Sequence, residues 1–488
     1  MSHKSNHTGL KILLILIMLI FLAGSILMIK LSLDLADAQI ETTPSSAVIE
    51  LPTAATEETE APTEATTVPT EPEPEKVVAT ARISAQGDLL MHKPLFDERS
   101  IIRKTDGTYD FSPIFKHTSE LLKSYDYAIA NLETTFGGDD FPYQGNPSFN
   151  CPDPFLDSVV DAGYDMLLTA NNHSNDTLQA GILRTLEKVR GAGLGTIGTR
   201  MTEEEPRYSI VDVNGIKIGM VCYTYSSGLS NAGIPRLNGN SPMENEQLIN
   251  WFYNKNSQKM YDEMKVILQE MEENGAEINM LFIHWGNEYE LKENNLQNQQ
   301  AQALCDLGVD VIIGGHPHVV QPVEVLTSTT DPEHNTICIY SMGNAVSNQR
   351  SGNIPACPTP HTEDGILFEI TFEKYSDGKV YIQSADILPT WVNLHRDNGG
   401  NEYNILPLAA AEKDQWQEKF SLNAEGLRRA TASYDRTMKI VGEGLQQIQD
   451  FLTQQKADRE QYYLDLANGI LPAETEATEP PAAEADAA

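Results

Sequence analysis

Between Val77 and about His395 short apolar runs alternate with longer amphipathic stretches, and most of the apolar runs end in a polar cluster. Val77 to Ala85 alternates with period two and reads as a strand that stops at Gln86-Gly87-Asp88. Ser112-Pro113 marks a helix start, a capping hydroxyl before proline at the first helical position, and this helix is expected to reach Lys123. Tyr127 to Leu132 predicts a short strand, Asp153-Pro154 caps a helix that Gly163 ends, and Met166 to Thr169 predicts another strand. A helix over Asp176 to Arg190 leads to a hairpin turned at Asn214-Gly215. Lys259 to Glu273 and Gln297 to Leu307 follow as helices, with buried strands at Ile278 to Ile283 and Val309 to Ile313. Thr336 to Tyr340 is a further strand, and Ser376-Asp377-Gly378 turns a second hairpin. Such alternation argues for a layered α/β domain. From Glu412 to Leu466 the chain is helix-rich without a motif tied to chemistry, and packing on the domain is the expected role.

The polar clusters are where chemistry concentrates. Asp88, Glu133, Asn172, His173, His284, His316 and His318 all fall at or just past the C-terminal end of a predicted strand, the edge where α/β sheets bind ligands. The densest stretch is GVDVIIGGHPHVVQ, Gly308 to Gln321. In extended backbone the spacing of His316 and His318 puts both imidazoles on one side, and Gly314-Gly315 lets another backbone approach closely. Each residue has a plain structural alternative. Asp88 suits a turn, Glu133 a solvated loop, Asn172-His173 a helix entry, His284 a half-buried satisfied histidine, and His316 and His318 a polar loop. A dinuclear metal centre accounts for all of them together, since carboxylate, amide oxygen and imidazole are its usual donors.

Charge narrows the partners. The formal net charge is −36, of which residues 41–75 carry nine acids and residues 473–488 five, with no base in either. Setting those fourteen aside still leaves −22 on the rest, which excludes a nucleic-acid partner, because phosphate binding needs a basic face. Binding of a polyanion would have to be local and cation-assisted. Ile12 to Ile29 is an apolar run long enough for a membrane span, flanked by Lys4, Lys11 and Lys30. It predicts a signal anchor with the body outside the membrane; a signal peptide cleaved near Ala36-Asp37-Ala38 is the alternative. The expected organisation is a cytoplasmic end (1–11), an anchor (12–33), a disordered Thr/Glu/Pro stalk (34–76), the folded domain (77–395), a helical region (396–471) and an acidic tail (472–488). Five cysteines occur without a CxxC pair; Cys151 and Cys357, in loop-like sequence, could pair outside the membrane.

GDLLMH at Gly87 to His92, NLE at Asn131 to Glu133, NNHSND at Asn171 to Asp176, HWGNE at His284 to Glu288, GGHPH at Gly314 to His318 and YSMGN at Tyr340 to Asn344 occur in this order. Together they resemble the CapA family of capsule and poly-γ-glutamate biosynthesis proteins, which belongs with the calcineurin-like metallophosphoesterases. The resemblance covers residues 77 to about 395. It implies a four-layer α/β/β/α sandwich and two divalent ions, of manganese, iron or zinc. It implies Asp88 and His318 on the first ion, Glu133 as the bridge, Asn172, His284 and His316 on the second, and His173 as the group that protonates a leaving atom. The first motif departs from the superfamily pattern, with Leu90 where a histidine is usual, so His92 is the substitute ligand to examine. Glu133 stands in place of the usual aspartate. Asp176 and Asn344 are further ligands or loop-fixing groups, and Glu288 is placed to approach the metals or a substrate amine. The function implied is synthesis, export or release of an anionic surface polymer such as poly-γ-glutamate, in contact with polymer synthase subunits. A phosphoesterase acting on a small or lipid-linked phosphate ester, and a non-catalytic scaffold, are the alternatives.

Overall fold

Apart from a two-stranded ribbon of Gly228–Leu229 and Pro235–Arg236, the strands of residues 77–407 form two mixed sheets in the computed structural model, which describes residues 76–397, 399–468 and 470. The described residues all fall within the unit Glu71–Ala488. The expected anchor, nearly all of the stalk and the acidic tail lie outside them, and no described helix is long and apolar enough to cross a membrane.

The chain builds half of the first sheet with β1 (Val77–Leu89), β2 (Tyr127–Asn131), β3 (Met166–Leu168) and β4 (Gly195–Ile197), all parallel. It then crosses to the second sheet for β5 (Tyr208–Val213), β6 (Ile216–Ser226), β7 (Trp251–Tyr253), β8 (Ile278–His284), β9 (Val311–Gly315), β10 (Val323–Thr327) and β11 (Asn335–Ile339). The order there is β10-β11-β9-β8-β6-β5, with β7 on the end of β6. The chain returns to complete the first sheet with β12 (Asn344–Val346), β13 (Asp364–Tyr375), β14 (Val380–Asp397) and β15 (Gly400–Pro407). Here β13 runs antiparallel to β1, while the short β12 pairs in parallel with its last residues, setting Asp88 opposite Asn344.

Strand periodicity assigns the faces. Ile129 points between the sheets, where it meets Ile83, Met220, Phe282 and Ile313. Its neighbours Ala128 and Ala130 point outward, against Phe155 and Val159 of helix α1 (Pro154–Ala162). Next in the chain comes helix α2 (Leu178–Gly191). On the second sheet Val221, Leu281 and Ile283 face outward beneath helix α3 (Gln258–Glu273). That helix buries Met260, Met264, Ile267 and Met271, a stripe of spacing four, three, four. Helix α4 (Asn295–Cys305) begins with a capping box from Asn294 and Gln297. Helices therefore cover both outer faces of a pair of sheets that share one core.

Several expectations need correction. The helix from Ser112 to Lys123 is two separate turns, Ser112–Phe115 and Ser119–Leu122. Ser112 spends its hydroxyl on Asp110 Oδ1 at 2.6 Å and caps nothing. Asp153 is the residue before α1, yet its carboxylate binds Arg184 and Lys188 and leaves the helix uncapped. The boundary at 395 cuts a hairpin, because β14 runs to Asp397 and β15 extends the sheet to Pro407. Glycines at 399 and 400 supply the turn. The helical region condenses into α5 (Ala424–Ala467), whose Val441, Leu445, Ile448 and Leu452 enter the core between the sheets. All five cysteines are buried and free, so Cys151 and Cys357 do not pair.

Candidate metal centre

Six of the expected donors converge at the C-terminal ends of strands from both sheets. Asp88 sits at the end of β1, fully buried, with Oδ1 accepting from Asn131 Nδ2 at 2.7 Å. Its Oδ2 lies 3.1 Å from His318 Nδ1. Glu133, two residues past β2, places Oε1 at 3.4 Å from His284 Nε2 and Oε2 at 3.8 Å from His318 Nδ1. Asn172 Oδ1 lies 2.9 Å from the same His284 nitrogen. The His316 ring stands 4.8 Å from that of His284 and 5.9 Å from that of His318, centre to centre. Donor atoms of Glu133, His316 and His318 all lie within 4.8 Å of one another.

The local backbone explains how this is reached. Gly314 is fixed by packing: a Cβ there would stand 2.1 Å from the Tyr340 carbonyl oxygen and 2.5 Å from Trp285 Nε1. After Gly315 the strand ends, and His316 and His318 take φ of 96° and 57°. The shared side expected from extended backbone is thus obtained differently, by two left-handed residues in a tight loop. Such conformations cost on the order of 1 kcal/mol or more each and persist where the surroundings over-determine them. Here Asp88 and Asn344 hold His318 Nδ1, at 3.1 and 3.2 Å, and Tyr225 packs on His316 at 4.7 Å.

The electrostatics leave room for positive charge. Both Glu133 oxygens and His316 Nδ1 are buried without a hydrogen-bond partner. A buried polar atom in that state costs about 1–3 kcal/mol, and more for a charge, so such atoms mark a place where something binds. Burial, then the carboxylate of Asp88, push Glu133 well above its ordinary range. Burial also pulls Asp88 upward, but the hydrogen bond and charge of His318 hold it below its usual value. Burial lowers His284 to about 3 and His316 well below its ordinary range, which favours the neutral imidazole, the form that ligates metals. Oxygen and imidazole donors around two buried carboxylates fit divalent cations.

Other expected residues take different places. His173 Nδ1 bonds Asp176 Oδ2 at 2.7 Å, and its ring meets Phe149 edge-on at 4.5 Å. Asp176 also accepts from the Phe149 backbone and from Asn240, so it fixes the loop and the imidazole together. Asn344 is likewise a positioning group, its amide donating to the carbonyls of His318 and Thr362. His92 is not brought into the ligand cluster. Its Nδ1 lies 3.3 Å from the Leu90 carbonyl oxygen and 3.4 Å from the Asn348 backbone nitrogen, and its ring packs on Phe149. Glu288 is exposed on the loop after His284, from where its charge acts on Glu133 without a direct bond.

Sequence reasoning missed Asn131, Asn171 and Tyr225. Asn131 orients Asp88, and Asn171 donates to Asn131 Oδ1 at 3.2 Å and to the Leu132 carbonyl at 2.8 Å. Both lie inside the quoted motifs, where the adjacent acid and histidine drew attention. Tyr225 lies near the end of β6, a position the strand-end rule would have flagged.

Comparison with known proteins gives this site its relatives. The PGA biosynthesis protein CapA of Bacillus subtilis (strain 168) is 27% identical over 310 residues, covering 62% of this chain and 70% of that protein. The capsule biosynthesis protein CapA of Bacillus anthracis is 27% identical over 268 residues, 54% of this chain and 59% of that protein. Among solved structures, the Haemophilus influenzae NAD nucleotidase NadN aligns with a TM-score of 0.35 at 12% identity, over 73% of this chain and 67% of its own. Purple acid phosphatase PPD1 from yellow lupin aligns with 0.25 at 10%, over 63% and 53%. These structural likenesses are too faint for a conclusion to rest on them. Residues 82–349, more than half of the chain, match the family described as bacterial capsule synthesis protein PGA_cap, and the chain belongs to that family.

Proposed function

We propose that the chain is a metal-dependent hydrolase of anionic surface-polymer metabolism, with a metallophosphoesterase-like site that acts on poly-γ-glutamate or a related capsule polymer. Family membership supports the pathway, and the apolar run at residues 12–29 supports a body carried outside the membrane on an anchor, within reach of polymer synthase subunits. The observation that carries the chemistry is the pair of bare, buried Glu133 oxygens facing three imidazoles. Asp88 and His318 would hold one divalent ion and Asn172, His284 and His316 another, with Glu133 between them. Bound ions of this kind supply a water of lowered pKa and neutralise charge on an oxygen of the cleaved bond. The protein's own groups supply the proton. With Nδ1–H held by Asp176, His173 would give its Nε2 proton to the leaving group from the imidazolium form and take one back from the attacking water.

The same His173–Asp176 pair suits the alkoxide oxygen of a phosphate ester, which supports a second reading as a phosphoesterase on a small or lipid-linked ester. Metal analysis of the purified protein, run beside polymer-cleavage and generic phosphodiester assays, tests both. Divalent metal near two equivalents, lost in His316→Ala, with cleavage of the polymer supports the first reading. Turnover of the phosphodiester alone supports the second. Protein that binds no divalent metal, or that keeps its cellular role after His173→Ala and His284→Ala, sinks the hydrolase reading and leaves a scaffold.

A further inference from the structure

A cleft of about 670 Å³ opens between the loop that follows β12, strand β14 and the first turns of α5. Five guanidinium groups line it: Arg350, Arg396, Arg428, Arg429 and Arg436. Carboxylates answer them only in part. Glu363 Oε2 accepts from Arg350 at 2.8 Å, from Arg429 at 2.7 Å and from the Trp391 indole at 3.3 Å. Asp364 takes Arg436, and Glu425 takes Arg428. One carboxylate thus serves two arginines, and Arg396 makes no ion pair among the described residues. Two positive charges remain in excess, on a chain whose formal net charge is −36.

The floor of this cleft is built rather than incidental. Arg350 and Glu363 are buried, and the Arg429 guanidinium lies 5.1 Å over the Trp391 ring. Arg396 and Arg428 stand exposed at the rim. Guanidinium is the side chain whose planar fork matches a carboxylate or phosphate two bonds at a time. The floor is also continuous with the metal centre. Thr362, beside Glu363, accepts from Asn344 Nδ2 at 3.0 Å and donates its hydroxyl to the Gln349 carbonyl, beside Arg350. Asn344 in turn touches His318.

We propose that this cleft is an anion-binding site that seats successive carboxylates of an acidic polymer beside the metal centre. The site rests on the arginines; the polymer as its ligand rests on the functional reading above. It also meets an electrostatic need. A body this acidic repels a polyanion at distances up to the Debye length, about 8 Å in physiological salt, so a cationic foothold has to be local.

The test is fluorescence anisotropy of a labelled poly-γ-glutamate oligomer against the full chain in chelator, at rising salt. The double variant Arg396→Gln/Arg428→Gln touches only exposed groups and is expected to keep its Tm. We expect oligomer binding to the wild type that persists in chelator, weakens with salt, and falls tenfold or more in the double variant. Unchanged affinity in the variant, or affinity indifferent to salt, overturns the site. Inorganic phosphate that binds through these arginines while the oligomer does not overturns the carboxylate polymer as its ligand. Binding through these arginines with no cleavage under any metal leaves the site standing and overturns the hydrolase reading alone.

Discussion

Glu133→Gln is the perturbation whose sign separates a metal centre from an ordinary buried polar cluster. In the protein without a cation, Glu133 is fully buried with neither oxygen hydrogen-bonded, 3.4 Å from a His284 imidazole whose neutral form burial favours. A carboxylate in that position is a liability, and an unsatisfied buried group costs about 1–3 kcal/mol. Glutamine keeps the shape and removes the charge but leaves a buried amide, so where pH exceeds the raised pKa of Glu133 the metal-free variant should be more stable than the metal-free wild type by at most roughly that amount. For a body of roughly 400 residues, an unfolding entropy of about 2.1 cal/mol/K per residue turns this into a rise of about 1–4 °C in Tm. The sign with pH follows. The folded-state pKa of Glu133 is raised, so its cost is absent below the ordinary carboxylate range and grows as pH rises through that range and beyond. The advantage of glutamine should widen in the same direction. A divalent cation reverses the ranking. At a hundredfold excess over Kd it stabilises the wild type by about 2.7 kcal/mol, roughly 3 °C here, and the variant by far less. Differential scanning calorimetry with chelator and with added manganese or zinc reads all of this. A metal-free variant that melts below the wild type, or one that gains as much from metal, would falsify the account of Glu133 as a ligand.

Three further changes probe other parts of the argument. Asp176→Asn removes the acceptor 2.7 Å from His173 Nδ1, and should lower turnover about a hundredfold while metal content by mass spectrometry stays at the wild-type value. Gly444→Ala should lower Tm even though alanine is about 1 kcal/mol better in a helix, because a Cβ there would lie 1.7 Å from the Val323 carbonyl oxygen of the strand beneath α5. Burial raises Asp364 to about 6 against the opposing pull of Arg436 and Ser433. This group therefore makes stability fall as pH climbs from about 4 to 6, and Asp364→Asn should flatten that part of the curve in urea melts.

How much of this was legible in the sequence depends on which physical signal each feature left. Strand ends were readable, since a buried strand is a short apolar run and its end is a change of polarity; β8 and β9 announced His284 and His316 in this way. What lay hidden was any choice made in three dimensions. Ser112 looked like a cap, yet Asp110 two residues away offered its hydroxyl a better acceptor. Asp153 looked like a cap, and the arginine and lysine that claim it lie on α2. His92 lay two residues past the position where the motif puts a histidine, and the chain turns it towards Phe149 and Asn348. The arginine cleft is the clearest case. Three of its arginines, Arg428, Arg429 and Arg436, stand close together on α5, but Arg350 from the loop after β12 and Arg396 from β14 complete it only in three dimensions, and a chain of net charge −36 gives no hint of the whole. Overall charge argues against a broad basic face. It says nothing about a local foothold, because within a Debye length of an arginine the nearest groups outweigh the distant sum. The acidity of the body and the basicity of the cleft are then compatible parts of one device. On the proposed reading the first would discourage a polyanion from settling broadly, and the second would give it a local foothold, linked to the metal centre through Thr362 and Asn344.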